Sequence, residues 1–255
     1  MAASLGMWPH RRPPSRSTAS RRWSRRGDAV LPKESYLGGL RQPEPRQILS
    51  QVAQGAEQSY LVALGNMAFS TALIKGAAAQ GAGIGCSSCH SSGEINRRFF
   101  IAGSSAHPGS ADVTSALFNP RFDDGLDNPL DIPSLRGVAL TAPYGRDGRF
   151  ASLREFTRNV IVNEFAGPEP PPIILDALVA YQRQFEFLPN DKLGRRGRLT
   201  DTASDAARRG EALFTRRFDQ MDGRSCASCH VRSAQFTDGQ QHDVGTARAF
   251  ETPTL

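Results

Sequence analysis

The chain has 255 residues, of which 39% are hydrophobic, and a formal net charge of +6. This length is enough for one large domain or two ordinary ones. Residues 1–26 contain seven Arg and no acidic residue, so the rest of the chain has a net charge of about −1. That balance gives no electrostatic case for a nucleic-acid partner, and because no run of 18 apolar residues occurs, we predict no membrane span.

Residues 1–46 contain Pro, Arg and Ser clusters without sustained hydrophobic periodicity, which predicts a disordered or processed segment. Ser20–Trp23 (SRRW) is similar to a twin-arginine signal, but the residues after it are polar. No apolar run of the length that a signal peptide requires follows the basic region. We therefore expect a misplaced start or a truncated gene model.

From Gln47 to about Phe69 the spacing of apolar residues predicts an interrupted helix. Residues 76–85 are rich in Gly and Ala and are predicted to form a loop. Cys86–His90 (CSSCH) follows that loop directly.

The same pattern returns 140 residues later at Cys226–His230 (CASCH), so that the two motifs use all four cysteines of the chain. A CxxCH pentapeptide is the attachment signature of a c-type haem, in which the histidine ligates the iron. The sequence therefore predicts two covalently bound haem c groups. The attachment residues are Cys86, Cys89, Cys226 and Cys229, and the iron ligands are His90 and His230.

Two other uses of paired cysteines stay open. A zinc ribbon also has paired CxxC motifs, but these usually lie about 15–20 residues apart, and neither motif has obvious further zinc ligands nearby. A thioredoxin-like CxxC needs a βαβ setting, whereas the flanks here supply Gly, Ser and Ala without a strand pattern.

Further helices are predicted between the motifs. The region from Phe99 to Asp131 has the composition of a long loop, and such loops are often functional. Ser152 and Glu155 form a capping-box pattern that predicts a helix to about Phe165. A second helix is predicted over 173–187, and a third begins at Ser204. Residues 189–203 form a Gly- and Arg-rich linker. The basic stretch 192–217 could dock an acidic redox partner, but its composition is more typical of solvated linker.

An internal repeat relates the two halves. Gly65–Phe69 precedes the first motif as Gly210–Phe214 precedes the second, and Asp131–Leu135 follows the first motif as Glu251–Leu255 follows the second. We predict two related haem domains in tandem, at 47–188 and 204–255. The second copy lacks a counterpart of residues 136–149, so we expect the chain to be a fragment of a longer protein.

With these motifs, the chain resembles the bacterial di-haem cytochrome c peroxidase family, including the relative that matures a tryptophan-derived quinone cofactor. The resemblance covers roughly residues 60–255 and includes Pro133–Tyr144 and Asp147–Leu153. It implies a mostly α-helical periplasmic protein made of two tandem cytochrome c-like haem domains with long loops. It also implies that one haem accepts electrons from a small cytochrome or cupredoxin, while the other reduces hydrogen peroxide.

The resemblance also suggests particular site residues. His107 lies 17 residues after His90, where the peroxidases have a histidine that ligates the peroxidatic iron, so His107 is a candidate catalytic residue and distal ligand. Arg146 stands where the family has a tryptophan between the haems. The family's acid is absent from its usual context, and Glu164, Glu169 and Asp176 are only nearby acids.

His242 is the preferred candidate for the distal ligand of the second haem. Met67, Tyr144 and Met221 are further candidates, although Met67 is expected to belong to the core and Tyr144 would be a ligand only if the quinone-forming relative is the right comparison.

Three functions are compatible with these residues. The first is a peroxide-reducing oxidoreductase, the second is an electron-transfer module with both irons fully ligated, and the third is a structural metal-binding protein without haem.

Overall fold

The structure is a computed structural model that describes residues 31, 34–36, 59–245 and 248–255. The predicted N-terminal segment lies almost entirely outside these residues, as does the part of the first predicted helix before Ser59. The elements follow in chain order: α1 Tyr60–Ser70, α2 Ala77–Ala82, α3 Cys86–Cys89, β1 Ser110–Ala111, β2 Leu130–Asp131, α4 Leu153–Asn159, α5 Pro172–Gln182, α6 Asp205–Thr215, β3 Gln241–His242 and β4 Phe250–Glu251.

Helix α1 packs along α5, and this pair forms the first part of the core. Gly65 lets the two helices approach closely, because a Cβ there would lie only 2.0 Å from the carbonyl oxygen of Ala177. Phe69, Tyr181 and Phe185 then pack edge to face, with ring centroids 5.0–5.7 Å apart. A second cluster, which includes Phe99, Ile101, Phe118 and Phe165, packs around α2.

Helix α2 corrects the prediction of a loop over 76–85. Ala has the highest helix propensity of all residues, and the Ala77–Ala82 segment forms a helix that begins after Gly76. Gly83 ends it in the left-handed conformation at φ 71°, which glycine adopts at no steric cost. The loop prediction gave too much weight to the glycines and too little to the alanines between them.

The later helices begin where their caps predict. Ser152 accepts hydrogen bonds from the N–H groups of Arg154 and Glu155, and Ser204 accepts one from Ala207. Helix α4 continues as a π-helical turn over Val160–Glu164, close to the predicted end at Phe165. Helix α5 ends at Gln182 rather than at Phe187, because a turn from Phe185 back to Gln182 replaces the last helical turn.

Two short antiparallel strand pairs lie in the two halves that the sequence predicts to be related, and the tandem domains stay a prediction. Ser110 pairs with Asp131 in the first copy, and Gln241 pairs with Glu251 in the second. Asp131 and Glu251 are the equivalent positions of the sequence repeat, so the two hairpins match in register. The copies differ in packing, since α6 buries no residue and Ser225, Thr237 and Thr252 are the buried side chains described in 204–255.

No helix in the described part of the chain is long and apolar enough to cross a membrane.

Candidate functional site

Helix α3 holds the first CxxCH motif in a compact turn. Ser88 Oγ accepts a hydrogen bond of 3.1 Å from the Gly85 N–H, and the His90 N–H donates to the carbonyl of Cys86 at 2.9 Å. A Cβ at Gly85 would lie 2.7 Å from the carbonyl oxygen of Ser70. The motif is therefore seated directly against the end of α1.

The second motif repeats this geometry in a 3₁₀ turn over Cys226–Ser228. Ser228 Oγ accepts a hydrogen bond of 3.0 Å from the Ser225 N–H, and the His230 N–H donates to the carbonyl of Cys226 at 2.9 Å. The two motifs thus share their local hydrogen bonds as well as their sequence pattern.

Both motif histidines have one ring nitrogen bound to a backbone carbonyl. Nδ1 lies 3.0 Å from the Pro133 oxygen in His90 and 2.9 Å from the Phe236 oxygen in His230. A carbonyl oxygen only accepts, so Nδ1 carries the proton and Nε2 keeps its lone pair. This arrangement fixes the tautomer and orients the ring for a metal at Nε2.

The ionisation of His90 in the first motif also suits metal binding. Burial lowers the pKa of His90 to about 4 against the raising effect of the Pro133 hydrogen bond, and the positive charge of Lys75 lowers it further. The imidazole is therefore neutral at pH 7, which is the form that binds metals. Burial raises the pKa of Cys89 to about 12, although the Lys75 charge opposes this.

The second motif differs in its charged neighbours. Burial raises the pKa of Cys229, and the carboxylate of Asp238 raises it further, while Arg224 acts in the opposite direction. All four cysteines are free thiols. The sulfurs of both motifs are thus available to the haem vinyl groups, and the residues present fit two haem c groups.

The structure places His107 on the exposed surface. Its Nε2 lies 3.2 Å from Asp131 Oδ1, its Nδ1 lies 3.0 Å from the Pro108 carbonyl oxygen, and its side chain is 59% exposed. Coordination of a metal would require one of these two contacts to break. Its role as a catalytic residue and distal ligand stays a prediction.

His242 lies beside the second motif. Its Nε2 is 2.7 Å from Asp238 Oδ2, and ligand atoms of His242, Asp238 and Cys229 all lie within 4.8 Å of one another. Asp238 is a site residue that no sequence motif predicts, although its spacing of four residues from His242 is a usable signal. The structure brings His242 to the motif, and its coordination of the second iron stays a prediction.

The expectation that Met67 belongs to the core is wrong. Its side chain lies on the outer face of α1 and the residue is 71% exposed, because α1 turns Val62, Ala68 and Phe69 toward α5 instead. Tyr144 stacks on Phe156 with ring centroids 6.4 Å apart.

Arg146 lies between the two strand pairs. Its Nη2 donates to the Asp131 carbonyl at 2.8 Å, and its own carbonyl accepts from the Glu251 N–H at 3.0 Å. It therefore joins β2 of the first copy to β4 of the second. Arg146 thus links Asp131 and Glu251, which occupy equivalent positions in the sequence pattern.

Glu164 is a buried carboxyl at the end of the π-helical turn. Its Oε1 accepts from Asn159 Nδ2 at 3.1 Å and lies 3.4 Å from Arg149 Nη2. Burial raises its pKa, and the Arg149 charge and the Asn159 hydrogen bond oppose that effect. The next residue, Phe165, packs against Lys75, whose Nζ contacts Cys86 of the first motif.

A surface groove of about 760 Å³ borders the second motif. Apolar side chains of Ala227, Val231 and Phe236 line it together with Arg195 and Arg196 from the predicted linker. This lining suits a ligand that combines an apolar body with carboxylates.

No protein-family model and no curated protein matches the chain. Among solved structures, the chain is similar to hydrazine synthase of Kuenenia stuttgartiensis, in a structure determined under 20 bar of xenon. The identity is 24% and the TM-score 0.49, and the match covers 88% of this chain and 67% of the hydrazine synthase chain. A likeness of this degree supports no conclusion about family, activity or ligands.

Proposed function

We propose that this chain is a periplasmic di-haem c-type cytochrome of the cytochrome c peroxidase-like kind. The observation that supports it most strongly is the shared geometry of the two CxxCH motifs. In each, a backbone carbonyl binds Nδ1 of the motif histidine and leaves Nε2 free, while both cysteines are unbonded thiols.

A bound haem c supplies an iron that changes between its ferric and ferrous forms. The residues of the chain hold it, with Cys86 and Cys89 as the covalent anchors and His90 as the ligand in the first copy. Cys226, Cys229 and His230 have the same roles in the second. The groove beside the second motif would supply apolar contact and arginines for the propionate groups.

The proposed reaction is the reduction of hydrogen peroxide or a related oxidant, with electrons that a small cytochrome or cupredoxin delivers. Cleavage of the O–O bond needs a group that moves a proton between the oxygens, a role commonly worth about 10²–10⁴ in rate. Glu164 is the residue that we propose for this role, because it is a buried carboxyl held by Asn159 and Arg149, and burial raises its pKa.

Electron transfer without catalysis is the second candidate function. It is favoured by the non-aromatic Arg146 at the junction of the two proposed copies. Such a carrier would have both irons fully ligated and would react slowly with peroxide.

The test of haem attachment uses the full chain made in a host that matures c-type haems. We expect the pyridine haemochrome spectrum to give two haems per chain, and one haem each in the variants Cys86→Ala/Cys89→Ala and Cys226→Ala/Cys229→Ala. A chain without a Soret band, or with bound zinc in place of haem, would refute the proposal.

Stopped-flow reoxidation of the reduced protein by hydrogen peroxide separates the two candidate functions. An oxidoreductase reacts rapidly, and Glu164→Gln slows the reaction by about tenfold or more. The matched control is Glu169→Gln, because Glu169 is an exposed carboxyl that pairs with Arg158. Slow reoxidation of the unaltered chain would favour the electron carrier.

A further inference from the structure

Lys75 is a fully buried lysine beside the first motif. The residue is 1% exposed, its Nζ lies 3.3 Å from Cys86 Sγ, and the same atom lies 5.3 Å from the centroid of the Phe165 ring. In the part of the chain that the structure describes, Lys75 forms no salt bridge. Its ammonium group is thus placed between a sulfur atom and an aromatic ring.

Hydrogen bonds fix the backbone at Lys75. The Lys75 N–H donates to Ala72 at 3.0 Å, and its carbonyl accepts from Gln80 Nε2 at 2.6 Å. The next residue, Gly76, donates to the Phe165 carbonyl at 2.8 Å. Burial of a cation without a carboxylate partner is costly. Because Lys75 is buried, the protein around it screens its charge only weakly.

The charge reaches the haem-binding residues. It acts to lower the pKa of both Cys89 and His90. His90 is the proposed iron ligand. The second copy differs, because Asp238 and Arg224 act on Cys229 with opposite signs. The first motif therefore has an uncompensated positive charge that the second motif lacks.

We propose that Lys75 raises the reduction potential of the haem attached at Cys86 and Cys89, so that an electron from the donor protein is drawn toward the first copy. The step is one-electron reduction of ferric to ferrous iron, in which no bond forms or breaks and no proton moves. Reduction would remove one positive charge from the iron that His90 would hold, and the positive charge of Lys75 would therefore favour the ferrous form. Charge and burial around a haem are established determinants of its potential.

The experiment is a spectroscopic redox titration of the full chain with both haems attached. In Lys75→Met we expect one of the two one-electron waves to move to lower potential by at least the equivalent of a tenfold change in equilibrium constant, which is about 59 mV. The other wave stays in place. Lys75→Arg keeps the charge and restores the original potential to within a small fraction of that shift.

Lys192→Met is the matched control, because Lys192 is half-exposed and pairs with Asp191 at 2.9 Å. We expect both of its waves to stay unchanged. Lys75→Gln is a second neutral variant in case the methionine variant does not retain both haems. Unmoved waves in the neutral variants, or an equal shift in Lys192→Met, would overturn the inference.

This inference rests on the proposed function, and the titration separates the failure of each. A chain without attached haem contradicts both the proposed function and the role of Lys75. A di-haem chain whose reduction potentials do not change with the charge at position 75 contradicts the role of Lys75 alone.

Discussion

Replacement of Gly65 with alanine tests the contact between α1 and α5. The first motif packs against the end of α1. The added Cβ would lie 2.0 Å from the Ala177 carbonyl oxygen and 2.7 Å from Tyr181 Cβ. The first of these is a backbone atom, so the helices must separate. Overpacking of this kind costs about 1–3 kcal/mol, and the better helix propensity of alanine returns about 0.5–1 kcal/mol.

We therefore expect Gly65→Ala to lower the free energy of unfolding by about 2 kcal/mol, since the clash with a backbone atom places the cost at the upper end of that range. For a chain of this size, each kcal/mol corresponds to about 2–4 °C in Tm. Thermal unfolding followed by far-ultraviolet circular dichroism should thus show a decrease of about 4–8 °C.

Gly210→Ala is the matched control, because Gly210 occupies the equivalent position of the repeat and an added Cβ there has no atom within 4 Å. Only the helix-propensity effect applies, so this variant should gain about 0.5–1 kcal/mol. A Gly65→Ala variant as stable as Gly210→Ala would refute the packing argument.

The other predictions concern a buried acid and two helix caps. Because burial raises the pKa of Glu164, the folded chain binds this proton more tightly than the unfolded chain does. The stability that Glu164 contributes is therefore present below its ordinary pKa and is lost as the pH rises through the raised value. Urea unfolding at a series of pH values should show that the free energy of unfolding falls less steeply with rising pH in Glu164→Gln than in the unaltered chain. The same slope in both proteins would contradict this. Ser152→Ala should cost about 1 kcal/mol through loss of the α4 cap, and Ser204→Ala should cost less because α6 buries no residue; equal losses in the same urea assay would contradict the difference.

The local signals of the sequence were the most informative. Ser152 and Ser204 identified the starts of α4 and α6, because a side-chain cap depends on neighbouring residues alone. The CxxCH motifs likewise identified the cysteines and histidines of the candidate sites. Their attachment to haem and the tandem cytochrome c-like domains stay predictions.

Long-range contacts could not be predicted in the same way. The carbonyl partner of His90 is Pro133, 43 residues further along the chain, and no pattern near His90 indicates it. Lys75 is buried against Cys86 because the turn after α1 and the Phe165 segment enclose it, while composition alone places a lysine at the surface. Met67 was misjudged because a short helix with apolar residues on several sides does not reveal which face is buried.

The most direct test of the account is an electron paramagnetic resonance spectrum of the oxidised full chain, made in a host that matures c-type haems. We predict a high-spin ferric signal beside a low-spin one, because an oxidoreductase needs one iron with an open or weakly held position. Two low-spin signals that persist unchanged after partial reduction would contradict the peroxidase-like activity and would leave an electron carrier.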